Sequence, residues 1–215
     1  MAIADFFNLT VCAEIAALIA ALLFITRQRH GYWRLFPLYL AVILLAEWIG
    51  FSLRMQRIRN HHLYNILWIF QSIFFSYLFY RFHQVKYIKY QVFFVLGIFL
   101  CFYLSEAFYR SFSDSFQFSR QFLSIIIIFF SCTFYFSLLK HDITSTPLRF
   151  PPFWIVTGLF FFYFGSAIMF TIPMEIKRTR VIGNMILYDL VMGTFSCILY
   201  GSWVTAFIWK NRQIQ

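Results

Sequence analysis

The sequence predicts an all-α integral membrane protein, a bundle of seven transmembrane helices that forms one domain over residues 1–215. Hydrophobic residues make up 61% of the chain and charged residues 12%, whereas soluble domains have about 45–50% and about 25%. The apolar residues also form unbroken runs of the roughly 20 residues that a helix needs to cross a bilayer. Strands of a membrane barrel would instead alternate apolar and polar side chains over about 10 residues.

Each helix is predicted where an apolar run lies between polar connectors, which hold nearly every charged residue. The seven predicted spans are 3–25, 35–53, 63–80, 92–109, 122–139, 153–172 and 185–208. Charge in hydrocarbon is costly, so the first charged residue or proline after each run sets its end. In chain order these residues are Arg27, Arg54, Arg81, Arg110, Lys140, Pro173 and Lys210.

The basic residues lie mainly in short loops at the predicted membrane borders. In a soluble protein a net charge of +10 would suggest nucleic acid as a partner, but phospholipid head groups explain loop charges at least as well. We therefore expect the lipid bilayer as a partner and no nucleic acid. With the N-terminus outside, the cytoplasmic connectors carry ten Lys and Arg residues and the outer connectors eight. This excess predicts an outer N-terminus and a cytoplasmic C-terminus.

An internal repeat relates the second and third spans to the sixth and seventh. A shift of 119 residues superposes them without a gap and makes five positions between residues 49 and 65 identical. These pairs are Ile49 and Ile168, Phe51 and Phe170, Met55 and Met174, Arg59 and Arg178, and Asn65 and Asn184. The pattern indicates a 3+1+3 parallel repeat, in which the fourth helix links two halves that run in the same direction. Shared apolar composition is the alternative explanation of so few identities.

Four acidic residues lie inside the predicted spans, namely Glu14, Glu47, Glu106 and Asp189. Intramembrane carboxylates usually face the interior of a bundle and are candidates for functional sites. Glu14 is near the middle of its span. The other three lie towards the ends of the second and fourth spans and the start of the seventh, so we expect them together in the outer half of the membrane. The sequence thus predicts a polar, ligand-binding pocket there.

Amide and aromatic side chains are predicted to complete this pocket. Asn65 and Asn184 open the third and seventh spans on the same side, and Gln71 can reach the interior from the third span. Trp48 and Trp68 are candidates for cation–π walls. Other tryptophans near span ends fit an interfacial aromatic belt, and these are Trp33, Trp154, Trp203 and Trp209.

Polar and small residues form a stripe along the seventh span, where they share one helical face. The stripe consists of Asp189, Gly193, Ser196 and Tyr200, and a similar one on the third span consists of Asn65, Ser72, Ser76 and Tyr80. Two such stripes can line a cleft between the halves. The alternative is that small and hydroxyl residues let the helices approach and hydrogen-bond.

Charge balance leaves two interpretations of the predicted pocket. An ionised carboxylate in a membrane needs a cation, and Arg54, Arg110 and Arg120 lie at the same end of the bundle. If these arginines pair with the acids, the cluster is a structural lock. If they do not, the pocket suits a cationic or polyhydroxyl ligand, or a proton.

The sequence contains no motif of an enzyme, metal or cofactor site. HExxH, GxSxG and phosphate-binding glycine loops are absent, and the four cysteines fall one per span without CxxC spacing. Retinal attachment is not expected, because no lysine lies between Met185 and Trp209. We expect no catalytic residue, no metal ligand and no cofactor.

Three segments carry a resemblance to other proteins: Glu47 with Gly50, residues 63–82 (LYNILWIFQSIFFSYLFYRF), and residues 184–200. Through them the chain resembles small seven-transmembrane bacterial membrane proteins, which are similar in layout to the seven-helix sensory modules of histidine kinases. The resemblance implies a sensory role in a bacterial inner membrane. It departs from those modules because only Trp209 to Gln215 follow the last span, so such a sensor would signal through a separate protein.

These observations predict a receptor-like membrane protein that binds a small ligand or lipid in the outer half of the bundle and signals through a separate partner. A homo-oligomer is a further expectation. The alternative is a small-solute or proton-coupled transporter or channel, which the repeat and the buried acids favour. The two differ in whether a water path continues through the cytoplasmic half. Few polar residues lie there, which favours a closed pocket.

Overall fold

The structure, a computed structural model, describes residues 8–25, 31–83, 86–110, 114–140, 146–182 and 185–213. In these ranges it is mostly helical, which confirms the all-α class. Six helices are long and apolar enough to cross a membrane: α2 (Leu35–Met55), α3 (His61–Phe82), α4 (Lys86–Tyr109), α5 (Gln117–Lys140), α6 (Pro151–Thr171) and α8 (Leu187–Arg212). A shorter apolar helix, α1 (Leu9–Ile25), precedes them. Six to seven apolar helices support an integral membrane protein.

Several helices extend past the apolar spans into polar sequence. α4 begins at Lys86, ahead of the predicted start at Val92, and α5 begins at Gln117, ahead of the predicted start at Phe122. Lys and Gln are good helix formers, so backbone hydrogen bonding continues through them although their side chains do not favour hydrocarbon. Apolarity alone therefore underestimates the length of these helices.

Proline bounds α6 at both ends. Pro151 and Pro152 occupy its first turn, where a missing N–H breaks no helical hydrogen bond, and Pro173 follows its end. The connector beyond has regular structure of its own. It contains a short helix, α7 (Met174–Lys177), and two antiparallel strands, β1 (Arg180–Ile182) and β2 (Met185–Ile186).

The long helices form a closed bundle. Consecutive long helices alternate in direction, so we call the side on which α1, α3, α5 and α8 begin the N-side and the opposite side the C-side. Each long helix packs against its neighbour in sequence, and α8 also packs against α1. The last helix is therefore held between α1 and α6.

Two glycines bring α6 close to α8. A Cβ atom at Gly158 would lie 2.9 Å from the backbone oxygen of Leu199, and one at Gly165 would overlap the ring of Phe195. Small residues let the backbones of transmembrane helices approach in this way. The contact fixes the position of α8, which carries part of the candidate site described below.

Aromatic side chains fill the core on the C-side. Trp33, Phe36, Trp203 and Phe207, which we call the aromatic layer, are 0–1% exposed. The centre of the Phe36 ring lies 5.2 Å from that of Trp203 and 5.4 Å from that of Phe207. This packing corrects the prediction of an interfacial belt for Trp33 and Trp203, because both indoles lie inside the bundle although they are near span ends.

Candidate intramembrane site at Glu14 and Glu47

Glu14 on α1 is the most deeply buried acidic side chain in the described ranges, with an exposure of 3%. It lies on the stripe of α1 that faces the interior, together with Val11, Ala17 and Ala21. Its Oε1 atom accepts a hydrogen bond of 3.0 Å from the Tyr200 hydroxyl. Its Oε2 atom is buried and has no hydrogen-bond partner among the described residues. Half of this carboxyl group therefore lacks the partner that buried polar atoms normally have.

Helix α1 reaches Tyr200 because it covers the small and polar stripe of α8. A Cβ atom at Gly193 would lie 3.2 Å from Leu9 Cδ2, and the Thr10 hydroxyl donates a bond of 3.5 Å to Ser196 Oγ. The stripe thus serves as a helix-packing surface for α1 along most of its length. Asp189, in the first turn of α8, is exposed instead.

Glu47 on α2 is half-buried and faces α3. The Tyr64 hydroxyl donates a hydrogen bond of 3.1 Å to Glu47 Oε2. A Cβ atom at Gly50 would lie only 2.7 Å from the Tyr64 hydroxyl oxygen. The absence of a side chain at residue 50 therefore lets the Tyr64 hydroxyl lie against α2. The pairing of Glu47 with Gly50 in the sequence has this physical explanation.

Glu14 and Glu47 interact electrostatically, and so do the tyrosines around them. The Glu14 carboxyl group interacts with that of Glu47, and the Tyr200 hydroxyl interacts with both acids and with Tyr39. We call Glu14, Glu47, Tyr39, Tyr64 and Tyr200 the Glu14–Glu47 site. It combines residues of α1, α2, α3 and α8.

The site has more acceptors than donors. Two carboxyl groups offer four oxygen atoms, and the Tyr64 and Tyr200 hydroxyls each donate to one of them. Arg54 interacts with Glu47 electrostatically, but it is exposed and no ion pair within 4.0 Å joins the two in the described part of the chain. The arrangement can accept a cation, a hydrogen-bond donor or a proton.

Glu106 has a different environment and a structural role. Its Oε2 atom accepts a hydrogen bond of 2.7 Å from the Ser119 backbone N–H and another from the Ser119 hydroxyl, and its Oε1 atom accepts one of 3.3 Å from the Phe118 N–H. Arg110 Nε lies 3.7 Å from the same Oε1 atom. The carboxylate therefore caps the first turn of α5. Because it also pairs with Arg110, Glu106 fits the interpretation of the acids as a structural lock.

Asn65 reinforces the same junction. Its amide nitrogen donates to the Asp114 carbonyl at 2.9 Å, and its side-chain oxygen accepts from the Phe116 N–H at 3.3 Å. The Tyr103 hydroxyl donates to the Asn65 carbonyl at 3.2 Å. Asn65 is fully buried, and it ties α3 to α4 and to the segment before α5.

The predicted cluster of Glu47, Glu106 and Asp189 is therefore not found. Glu47 bonds to Tyr64 of α3, Glu106 bonds to the first turn of α5, and Asp189 is exposed. Their shared depth follows from the sequence, but depth does not determine which way each side chain points around its helix. Glu14, which the sequence places at a different depth, is the acid that interacts with Glu47.

The remaining predicted site residues divide between the interior and the surface. Gln71 is half-buried and interacts with the Tyr39 hydroxyl, so it borders the site. Trp68 is half-buried and packs against the core, whereas Trp48 is 48% exposed. Trp48 follows Glu47 directly, and a one-residue step turns a helix by about 100°. Asn184 lies outside the described residues.

Tyr39 and Tyr64 were not predicted as site residues. Tyr39 is 4% exposed and its ring stacks 4.1 Å from that of Phe74. A physical argument could have identified them from the sequence. A buried tyrosine hydroxyl usually needs a hydrogen-bond partner, and apolar spans contain few of them. A tyrosine and an acid on neighbouring helices are therefore expected to form a hydrogen bond with each other.

Metal binding has no support in the described ranges, where no group of three or more His, Cys, Asp or Glu side chains could hold an ion.

No protein-family model, curated protein or solved structure matches the chain.

Proposed function

We propose that the protein is a receptor-like sensory protein that binds a small ligand at the Glu14–Glu47 site and signals through a separate partner. The observation that carries this proposal is the buried Oε2 atom of Glu14, which has no partner among the described residues. A buried polar atom without a partner costs about 1–3 kcal/mol, and more when it is charged. A ligand with an ammonium group or several hydrogen-bond donors removes this cost, so the site selects ligands of that chemistry.

The aromatic layer supports a closed pocket. Its four side chains lie between the Glu14–Glu47 site and the C-side and are almost fully buried. The centre of the Tyr200 ring is 5.9 Å from that of Trp203, so a ligand that moves Tyr200 also presses on the layer. Binding on one side is in this way converted into a change of packing on the other, where a partner protein can respond.

Other parts of the proposal follow from the sequence. The resemblance in layout to seven-helix sensory modules supports a sensory role. The excess of basic residues in the C-side connectors supports an orientation with the N-side outside, and the resemblance to bacterial membrane proteins supports a bacterial inner membrane. A homo-oligomer would provide the partner with two copies of the same signalling surface.

A proton-coupled transporter is the second candidate, and the depth of Glu14 favours it. Tyr200, its partner, is the fourteenth of the 26 residues of α8, so the carboxyl group lies near the middle of the membrane, where transporters bind substrates and coupling ions. The predicted 3+1+3 parallel repeat also favours this candidate. In it, α1 to α3 and α5, α6 and α8 are the two halves and α4 is the linker.

Ligand-dependent thermal stabilisation tests the receptor proposal. The purified protein in lipid nanodiscs is screened with small organic cations and polyhydroxyl compounds, and unfolding is followed by intrinsic tryptophan fluorescence. We expect a stabilising compound to act on the wild type and on Asp189→Asn, which changes an exposed acid of α8, but not on Glu14→Gln. A compound that stabilises all three proteins equally would show that it binds elsewhere and would contradict the site.

Proteoliposomes distinguish the two candidates. A pH-sensitive dye inside the vesicles reports proton entry under an imposed gradient. A receptor with a closed pocket gives no flux above that of protein-free vesicles. Flux that Glu14→Gln abolishes and Asp189→Asn retains would establish the transporter instead.

A further inference from the structure

Arg120 lies at a point where three helices meet. It is the fourth residue of α5 and is half-buried. Its Nη2 atom donates to the Ser166 hydroxyl of α6 at 3.3 Å and to the Tyr188 hydroxyl of α8 at 3.4 Å. The guanidinium group is thus directed towards the N-side ends of α6 and α8 and does not extend freely from the surface.

The positive charge of Arg120 is not balanced by the protein in the described ranges. The one ion pair found there joins Arg110 to Glu106, and Asp189, the residue after Tyr188, forms none with Arg120. Both polar contacts of Arg120 to other helices go to neutral hydroxyls through a single nitrogen atom. The Nε and Nη1 donors have no hydrogen-bond acceptor among the described residues, and neither atom is sealed inside the protein.

The depth of Arg120 identifies the kind of anion that can reach these donors. Arg120 is three helical steps, about 4.5 Å along the axis, from the first residue of α5, and Tyr188 is the second residue of α8. The group therefore lies where the phosphates of one leaflet border the acyl chains. A guanidinium group donates strong, charge-assisted hydrogen bonds to phosphate oxygens, and the Nε and Nη1 donors remain for such bonds.

We propose that Arg120, with the Ser166 and Tyr188 hydroxyls, binds the phosphate group of an anionic phospholipid in the N-side leaflet. The lipid joins the N-side ends of α5, α6 and α8. It occupies a place separate from the Glu14–Glu47 site, which lies near the middle of the membrane, so neither assignment depends on the other. The net negative charge of the head group balances the arginine, which a zwitterionic lipid does only in part.

Lipid-dependent stability tests this site. The protein is placed in nanodiscs of phosphatidylcholine alone and of phosphatidylcholine with phosphatidylglycerol, and the thermal midpoint is measured in each. We expect phosphatidylglycerol to raise the midpoint of the wild type and of Arg59→Gln, which removes an exposed N-side arginine, and to leave that of Arg120→Gln unchanged. Equal shifts in the wild type and Arg120→Gln would overturn the proposal.

A milder variant and a free anion complete the test. Tyr188→Phe keeps the packing of α8 and removes one hydroxyl, so we expect it to fold and to show a smaller shift with phosphatidylglycerol than the wild type. If phosphatidylglycerol shifts the midpoint of Tyr188→Phe as much as that of the wild type, the result counts against the site even if Arg120→Gln fails to fold. Inorganic phosphate added to the protein in detergent should produce no shift. A shift that depends on Arg120 there would assign the site to a soluble phosphate and overturn the lipid assignment.

Discussion

The Tyr200 hydroxyl donates a hydrogen bond of 3.0 Å to Glu14 Oε1, which joins two residues 186 positions apart in the chain. The bond connects the first long helix to the last and lies entirely inside the bundle, since Glu14 is 3% and Tyr200 7% exposed. It satisfies one oxygen of the carboxyl group and leaves the other without a partner among the described residues. The closure of the bundle and the candidate site therefore depend on the same pair of residues.

Substitutions at this pair should have opposite effects on stability. Tyr200→Phe removes the remaining donor to Glu14 and should lower the free energy of unfolding by about 1–3 kcal/mol, because it leaves the carboxyl group with no partner. Glu14→Gln keeps the shape and removes the acid, so we expect stability equal to or above that of the wild type. Thermal unfolding in detergent micelles compares them. A large loss of stability in Glu14→Gln would show that the acid is structural.

Glu106→Ala should destabilise the protein without changing ligand binding. It removes the acceptor for the Phe118 and Ser119 N–H groups and should cost about 1–3 kcal/mol, as the loss of a buried cap does. Arg110→Ala is the matched control. Its side chain is 41% exposed, and exposed ion pairs contribute about 0–1 kcal/mol. Equal losses in both variants would mean that the ion pair, and not the cap, stabilises the junction.

The helices could be predicted from the sequence because an apolar run of this length has few alternatives to crossing the bilayer. α2 begins at the predicted Leu35 and α4 ends at the predicted Tyr109. The β1–β2 hairpin could not be predicted in this way. β1 lies in a connector, where hydropathy gives no periodicity to interpret, and β2 takes the first two residues of the predicted seventh span.

The candidate site was predictable only in part, for a geometric reason. Glu14 and Glu47 are identified by the cost of a carboxylate in hydrocarbon. Which acids meet depends on the rotation of each helix about its axis, and helices that are apolar on all faces give no moment from which to infer it. Glu106 illustrates the consequence: it lies in the predicted half of the membrane, but its carboxylate caps α5.

Gly158→Ala should weaken the packing of α6 on α8. The added methyl group would lie 2.9 Å from the Leu199 carbonyl oxygen and 3.1 Å from Ser202 Cβ. The carbonyl belongs to a helical backbone and cannot easily move, so we expect a loss of about 1–3 kcal/mol in the free energy of unfolding. Gly201→Ala is the control, because outside the adjacent backbone of α8 and the two neighbouring residues no described atom lies within 4 Å of the place that its methyl group would take. There the better helix propensity of alanine should leave stability equal or raise it.

The pH dependence of stability should report on His83, which follows α3 on the C-side. Its imidazole is 1% exposed and lies against the rings of Phe79 and Phe134. The pKa of this group is lowered from 6.5 to about 4, chiefly by burial and to a smaller extent by the nearby Lys89, while the Phe130 backbone opposes the change. Between about pH 6.5 and pH 4 the unfolded chain thus binds a proton that the folded protein does not.

The sign of the effect follows from this difference. The folded protein is fully stable above about pH 6.5, and its stability falls as the pH decreases towards 4, by up to about 3 kcal/mol from this group. Denaturant unfolding in micelles at a series of pH values measures the slope. His83→Phe, which suits the aromatic surroundings, should flatten the slope, whereas His61→Gln, at an exposed position of α3, should retain it. A slope that survives His83→Phe would contradict the assignment of the pH dependence to this imidazole.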